Sequence, residues 1–201
     1  MRIVLASSSP RRQALMRQVG IPCDVMPCDI DETPEAGLSP GDAAAFVAMN
    51  KARFAAPLVS APVLIIAADT TVCVDGRVLG KPAGAGGAFD MLKVLQGRSH
   101  TVYTGVAMIK IIDGAVETRS FTESASVYIN PMSDDEINAY IATGEPMDKA
   151  GSYGAQEKGA FFVGRIEGDF HTVVGLPLSR VYKVMKEWGV SPLGRWNPGG
   201  A

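Results

Sequence analysis

The chain has 201 residues, 47% hydrophobic and 20% charged, with 19 Lys plus Arg against 21 Asp plus Glu and a formal net charge of −2. That is enough apolar material for one α/β domain or two small lobes, and the interspersed charges lack the basic footprint that duplex nucleic acid demands. The first apolar run is too short for a signal-peptide core, the longest (61–68) is far short of a membrane span, and Cys23, Cys28 and Cys73 lack metal-type spacing, so a cytoplasmic protein with structural thiols is expected.

In chain order, residues 2–6 read as a short buried strand, and Pro10 stands where a first helical turn tolerates a residue without an N–H. The helix that follows places Leu15, Met16 and Val19 on one face and stops at Gly20. Residues 23–27 suggest a second strand leading into the acidic turn 29–34. A helix is predicted from near Ser39, with a body at 42–55 carrying Phe46, Val47, Met49, Lys51, Ala52 and Phe54, ended by Pro57. Residues 63–68 are continuously apolar, as in a central strand covered on both faces, and are expected to end at Asp69-Thr70-Thr71.

Asp75-Gly76 then predicts a hairpin between 72–74 and 77–79. A short helix is read at 88–95, ended by Gly97, and strands at 101–109 and 117–129, with Asp113-Gly114 between them. Ser133 and Glu136 have capping-box spacing for a helix through Ile137, Tyr140 and Ile141, closed by Gly144. The Gly-rich segment 144–168 is weakly periodic, and such irregular stretches are often functional. A last packing helix is read at 178–188. One domain over 1–196 with a flexible tail at 197–201 is expected.

Chemistry gathers in four dispersed segments: Ser7 to Arg12, Asp31 with Glu32, Asp69 to Lys81, and Asp148 to Gln156. At the first, a helix N-terminus, serine hydroxyls and two arginines make an anion site, while a serine cap with solvated arginines is the plainer reading. Loops at strand ends of an α/β sheet converge on one crevice. A crevice holding cations, at least two carboxylates and amide or hydroxyl groups suits a polyphosphate with a divalent metal. His100 and His171 show neither triad order nor paired-ligand spacing, so both are read as structural.

Leu5-Ala6-Ser7-Ser8-Ser9-Pro10-Arg11-Arg12, Ala68-Asp69-Thr70, Leu79-Gly80-Lys81-Pro82, His100-Thr101-Val102-Tyr103-Thr104-Gly105 after Gly97, Asp148-Lys149-Ala150-Gly151 and Gly175-Leu176-Pro177 follow one another in the order of the Maf family, which the chain resembles over nearly its whole length. The resemblance implies a mixed, twisted β-sheet flanked by helices, related to inosine triphosphatases, with a cleft between two lobes. It implies a homodimeric nucleoside triphosphate pyrophosphatase that releases a nucleoside monophosphate and pyrophosphate. Carried onto this sequence, Ser7, Arg11, Arg12, Lys51 and Lys81 hold the triphosphate. Glu32 and Asp69 hold Mg²⁺ or Mn²⁺, and Asp69 activates the water. Arg12, Thr70 and Gln156 match the branch that acts on dTTP and UTP, with Thr70 and Gln156 toward the pyrimidine edge. The 7-methyl-GTP branch, with glutamine after the aspartate, is the alternative within the family. Ala155, Glu157 and Thr172 depart from its usual pattern. A non-catalytic nucleotide-binding regulator of cell division and a nucleic-acid binder using Arg11, Arg12 and Lys81 are the readings from other classes.

Overall fold

The computed structural model describes residues 1–192, so the domain boundary at 196 and the tail at 197–201 lie outside the described residues. The chain runs β1 (Arg2–Leu5), α1 (Pro10–Gln18), β2 (Asp24–Val25), α2 (Pro40–Ala55), β3 (Val63–Val74), β4 (Arg77–Leu79), α3 (Gly84–Leu95), β5 (Ser99–Ile112), β6 (Ala115–Ile129), α4 (Asp134–Ala142), β7 (Val163–Glu167), α5 (Phe170–Val174) and α6 (Leu178–Glu187). The described strands form one sheet in the order β2-β1-β3-β5-β6-β7, with β4 added to the edge of β3. It is mixed: β1 pairs parallel with β2 and β3, and every other pairing is antiparallel. No helix among the described residues is long and apolar enough to cross a membrane.

The long strands β3, β5 and β6 organise everything else. Leu64, Ile66 and Ala68 of β3 enter a core with Leu15 and Met16 of α1 and Val181, Val184 and Met185 of α6. The alternate residues Val63, Ile65 and Ala67 face the opposite way, under Ala48, Ala52 and Ala55 of α2, as the two-residue period of a strand requires. Farther along the same strand, Val72 and Val74 join a separate core with Leu92 and Leu95 of α3 and Ile137 and Tyr140 of α4. Between these cores lies a polar waist. Asp69, Thr70 and Thr71 pair with Gly105, Thr104 and Tyr103, which pair in turn with Thr122, Glu123 and Ser124.

The strand expected to end at Ala68 therefore continues to Val74. Antiparallel pairing with β5 is unbroken from Val63 to Cys73, so the polar triplet keeps its backbone partners, and its β-branched threonines suit a pleated surface. Other boundaries move less. The helix expected at 88–95 begins at Gly84, the strand expected from Glu117 begins at Ala115, and the last helix ends at Glu187. Pro57 follows α2 in a single 3₁₀ turn, Ala56–Leu58. Val19 is 37% exposed rather than packed with Leu15 and Met16, because α1 ends at Gln18 and Val19 is its C-cap, where the helical repeat no longer holds. The segment read as irregular to 168 contains β7, which pairs with β6 across a register shift at Tyr128/Ile129, and the short α5 follows it.

Two hairpin turns form as Asp-Gly chemistry dictates. Asp75 and Gly76 have φ of 49° and 74°, and Asp113 and Gly114 have 49° and 81°, the doubly left-handed geometry that suits a two-residue turn between twisted strands. The capping box forms too: Ser133 Oγ accepts from the Glu136 N–H, and the Glu136 carboxylate accepts from the Ser133 N–H.

Candidate active site

The site arises from a mismatch in strand lengths. On one edge of β3, β1 covers only as far as Leu5 opposite Ile66, and β4 begins only at Leu79 opposite Val72. Ala68 to Thr71 therefore face a notch in the sheet edge. A cleft of about 570 Å³ opens there, within the range of small-molecule sites. Its walls are the loop between β1 and α1, the start of the loop after β4, and the segment between α4 and β7.

Two carboxylates converge at its floor. Lys51 Nζ, on a side chain 7% exposed, donates to Asp69 Oδ1 at 2.8 Å and sits 3.0 Å from Glu32 Oε1. Lys51 reaches there because α2 lies directly on the waist of the sheet. A Cβ on Gly105, the register partner of Asp69, would stand 2.2 Å from Ala45 N and 2.3 Å from Ala44 C, so the absence of a side chain lets the α2 backbone approach. Thr71 and Thr122 hydroxyls then donate to the carbonyls of Pro40 and Gly41 in the first turn of α2.

Arg12 is buried, and all its nitrogens bond to the protein. Nε donates to Gly175 O at 2.8 Å, Nη1 to Ser7 Oγ at 3.3 Å, and Nη2 to Thr70 Oγ1 at 3.0 Å. Among the described residues no carboxylate lies within ion-pair distance of it. Burial lowers its pKa, and Arg11 adds to that, while the charges of Asp69 and Glu32 oppose it. Ser7 Oγ also accepts from the Ser9 N–H at 3.2 Å. The serine-cap reading does not hold: Ser9 is the N-cap of α1, with Pro10 next, and its side chain makes no capping bond. Thr70 Oγ1 lies 2.9 Å from Thr104 Oγ1, and Thr104 donates to the Thr172 carbonyl at 2.7 Å.

The far wall is tied together by polar groups, of which Tyr140, Glu145 and Lys149 are buried and Asp148 is exposed. Asp148 bridges the cleft, accepting from Arg11 Nη1 at 3.1 Å and from Lys149 Nζ at 2.9 Å. Burial would raise its pKa, but the Lys149 hydrogen bond and the nearby Arg11 and Lys149 charges hold it below the usual carboxylate range. The Glu145 carboxylate accepts from the Tyr140 hydroxyl and from the backbone N–H groups of Lys158 and Gly159, while Tyr140 Oη accepts from the Gly154 N–H. His100 Nε2 and Tyr153 Oη are 2.7 Å apart, and His100 Nδ1 is buried without a partner.

Every residue expected at the site from the sequence lines this one cleft: Ser7, Arg11, Arg12, Glu32, Lys51, Asp69, Thr70, Lys81 and Gln156. Lys81 and Gln156 are exposed at its rim, whereas Arg12 and Lys51 are buried. Asp31 lies outside the lining. Thr104 and Glu145 support the site without being marked for it by any motif in the sequence. Strand alternation puts Thr104 on the same face as Val102 and Val106, so a hydroxyl among buried apolar positions was the available signal. Glu145 carried none, since only the fold turns the backbone of 158–159 toward it.

Among the described residues no three or more His, Cys, Asp or Glu side chains group into an all-protein metal cage. Two converging carboxylates beside a loop of serines and arginines do suit Mg²⁺ or Mn²⁺, since Mg²⁺ commonly takes one or two carboxylates and completes its shell with water and phosphate oxygens.

The family model described as Maf-like protein matches residues 2–188. The dTTP/UTP pyrophosphatase of Carboxydothermus hydrogenoformans is 44% identical over 189 residues, which cover 94% of this chain and 100% of that protein. The dTTP/UTP pyrophosphatase of Pelotomaculum thermopropionicum is 44% identical over 191 residues, covering 95% and 98%. Among solved structures, the Ham1 protein of Staphylococcus aureus covers 94% of this chain and 100% of that chain, with 15% identity and a TM-score of 0.49.

Proposed function

The chain belongs to the Maf-like protein family, and from that premise we propose that it hydrolyses dTTP and UTP to the nucleoside monophosphate and pyrophosphate. The observation that carries this reading is the convergence of Asp69 and Glu32 on Lys51 inside the cleft that also holds Ser7 and Arg12. A site built only to bind triphosphate gains nothing from two acids beside its cations.

Ser7 supplies a directed donor. Its oxygen already accepts from the Ser9 N–H and from Arg12, so its own proton is left for a phosphate oxygen. Arg11, Lys51 and Lys81 bring further positive charge to the triphosphate, and buried Arg12 acts as a fixed cation behind Ser7. Asp69 takes a proton from a water as that water forms its bond to the α-phosphorus. The bond from the α-phosphorus to the oxygen bridging it to the β-phosphorus breaks, and pyrophosphate leaves with the electron pair. The surrounding cations stabilise the charge that appears on it. Glu32 and Asp69 would hold Mg²⁺ or Mn²⁺, whose chemistry is to neutralise and polarise phosphate oxygens. Gln156, an amide at the rim, can both donate and accept toward a pyrimidine edge.

We place the protein in the cytoplasm as a homodimer of a single-domain chain over residues 1–196. Free Cys23, Cys28 and Cys73 support a reducing compartment.

Pyrophosphate release from dTTP, UTP, CTP, GTP and 7-methyl-GTP, each with Mg²⁺ and with Mn²⁺, tests reaction, substrate and metal together. dTTP and UTP are expected to lead, and equal turnover of 7-methyl-GTP would shift the assignment to that branch. Asp69→Asn is expected to lower kcat by about 10²–10⁴-fold, the usual share of a general base, while triphosphate binding persists. Full activity in that variant removes Asp69 as the base.

A further inference from the structure

Gln156 sits at the cleft rim on a loop that no regular structure holds. Residues 154–157 belong to no helix or strand, and among the described residues the N–H groups of Ala155, Gln156 and Glu157 find no protein acceptor. The two ends of the loop are instead tied to one pair of buried side chains. At its start the Gly154 N–H donates to Tyr140 Oη at 3.0 Å. At its end the Lys158 and Gly159 N–H groups donate to Glu145 Oε2 at 2.9 Å and Oε1 at 3.1 Å. The single proton of the Tyr140 hydroxyl joins the two anchors, going to Glu145 Oε1 at 2.8 Å. The ends close tightly over this pair. A Cβ on Gly159 would stand 2.2 Å from Gly154 O and 2.5 Å from Tyr140 Oη, and one on Gly154 would stand 3.1 Å from Glu145 Oε1.

Glu145 is itself fixed. It is 8% exposed, its N–H donates to Thr143 Oγ1 at 3.2 Å, and its carbonyl accepts from Lys149 Nζ at 2.7 Å. Burial above all raises the pKa of Tyr140, so its hydroxyl keeps the proton that it donates. An ionised carboxylate only accepts, which suits a position met by three donors, whereas an amide there would turn an NH₂ group against one of them.

We propose that Glu145, with Tyr140, is a positioning residue that clamps both ends of the 154–159 loop and so fixes Gln156 where the cleft rim meets the nucleoside half of the substrate. This rests on the triphosphate reading given above. Asp69 and Lys51 belong to β3 and α2, which make none of the clamp's hydrogen bonds, so the clamp bears on how substrate is held and not on the bond that breaks. Without it the loop would have to be ordered at each binding event, a cost that appears in affinity.

A double-mutant cycle tests this. Glu145→Gln is expected to raise KM for UTP about tenfold, the scale of one unmade buried hydrogen bond, with kcat within about twofold of wild type. Gln156→Ala should raise KM by a similar factor in the wild-type background but by less than about twofold in the Glu145→Gln background, where the amide is no longer held; independent effects would multiply, and multiplication overturns the proposal. Amide hydrogen exchange gives a readout that needs no turnover. Glu145→Gln should speed exchange at Lys158 and Gly159 by about tenfold and leave β3 and β5 unchanged. Unchanged exchange at those two amides overturns the proposal, as does equal acceleration across the sheet. If Glu145→Gln fails to fold, Tyr140→Phe carries the same cycle, with exchange at Gly154 as its readout. If the wild type cleaves no triphosphate, the pyrophosphatase reading fails, and the exchange data with calorimetric affinities for UTP in the same cycle still decide the clamp.

Discussion

Arg12 concentrates more of the site than any other residue. Its sequence context reads as a cation free to grip phosphate, yet its three nitrogens bond to Gly175, Ser7 and Thr70, joining the chain's first loop to its last third. The charge was legible in sequence, but the partners lie up to 163 residues away and were not. His100 shows the same limit in a buried group. Its spacing marks it as structural, and it is 4% exposed against Tyr153, with its pKa pushed down to about 4 by burial and by the charge of Arg98. The unfolded chain therefore takes up the proton first as pH falls. Stability contributed by neutral His100 is intact above about pH 6.5 and is lost progressively down to about pH 4, by on the order of 3 kcal/mol. Urea unfolding at pH 7, 5.5 and 4.5 should show that decline in the wild type and a shallower one in His100→Gln. Parallel declines in the two proteins would mean that His100 does not carry the effect.

Among the elements, β3 and α2 decide where chemistry happens. The apolar run 63–68 predicted the buried half of β3 correctly, because burial on both faces writes itself as a continuous hydrophobic stretch. The continuation through Asp69 was not legible, since polar residues on a strand signal an end unless a partner strand is known to continue beside them. The apolar residues of α2 mark a helix, but the face it buries is mainly the small one, Ala44, Val47, Ala48, Lys51, Ala52 and Ala55, and Phe54 is 39% exposed. Small residues there allow close packing on β5, and Gly105 completes the fit. Gly105→Ala forces a methyl group into the α2 backbone and should destabilise the protein by about 3 kcal/mol, the upper part of the usual overpacking cost, as read by chemical denaturation. It should also lower kcat more than Gly41→Ala does, because Gly105 sits level with Asp69 while the nearest neighbour of a Gly41 Cβ is the Thr122 methyl at 3.0 Å. A Gly105→Ala protein of normal stability would show that α2 has room to shift.

At the scale of the molecule, apolar cores at the two ends of shared strands are separated by a polar waist, and the cleft lies at that waist. Because β3, β5 and β6 pass through both ends, unfolding should be a single cooperative transition. A non-hydrolysable UTP analogue at one hundred times its Kd should raise the stability of the whole by about 2.7 kcal/mol. Two separate melting transitions, with only one shifted by the analogue, would mean that the ends fold independently. Local signals sufficed for much of this architecture: helix starts at Pro10 and Ser133, two Asp-Gly turns, the buried strand core and the dispersed polar segments all follow from the preferences of neighbouring residues. The family resemblance carried the site residues onto those segments. What only the tertiary structure decided is which of these groups are free to meet a ligand. Strand lengths opened the notch beside Asp69, and burial bound Arg12 to Gly175, Ser7 and Thr70. Each depends on long-range neighbours that sequence spacing does not encode.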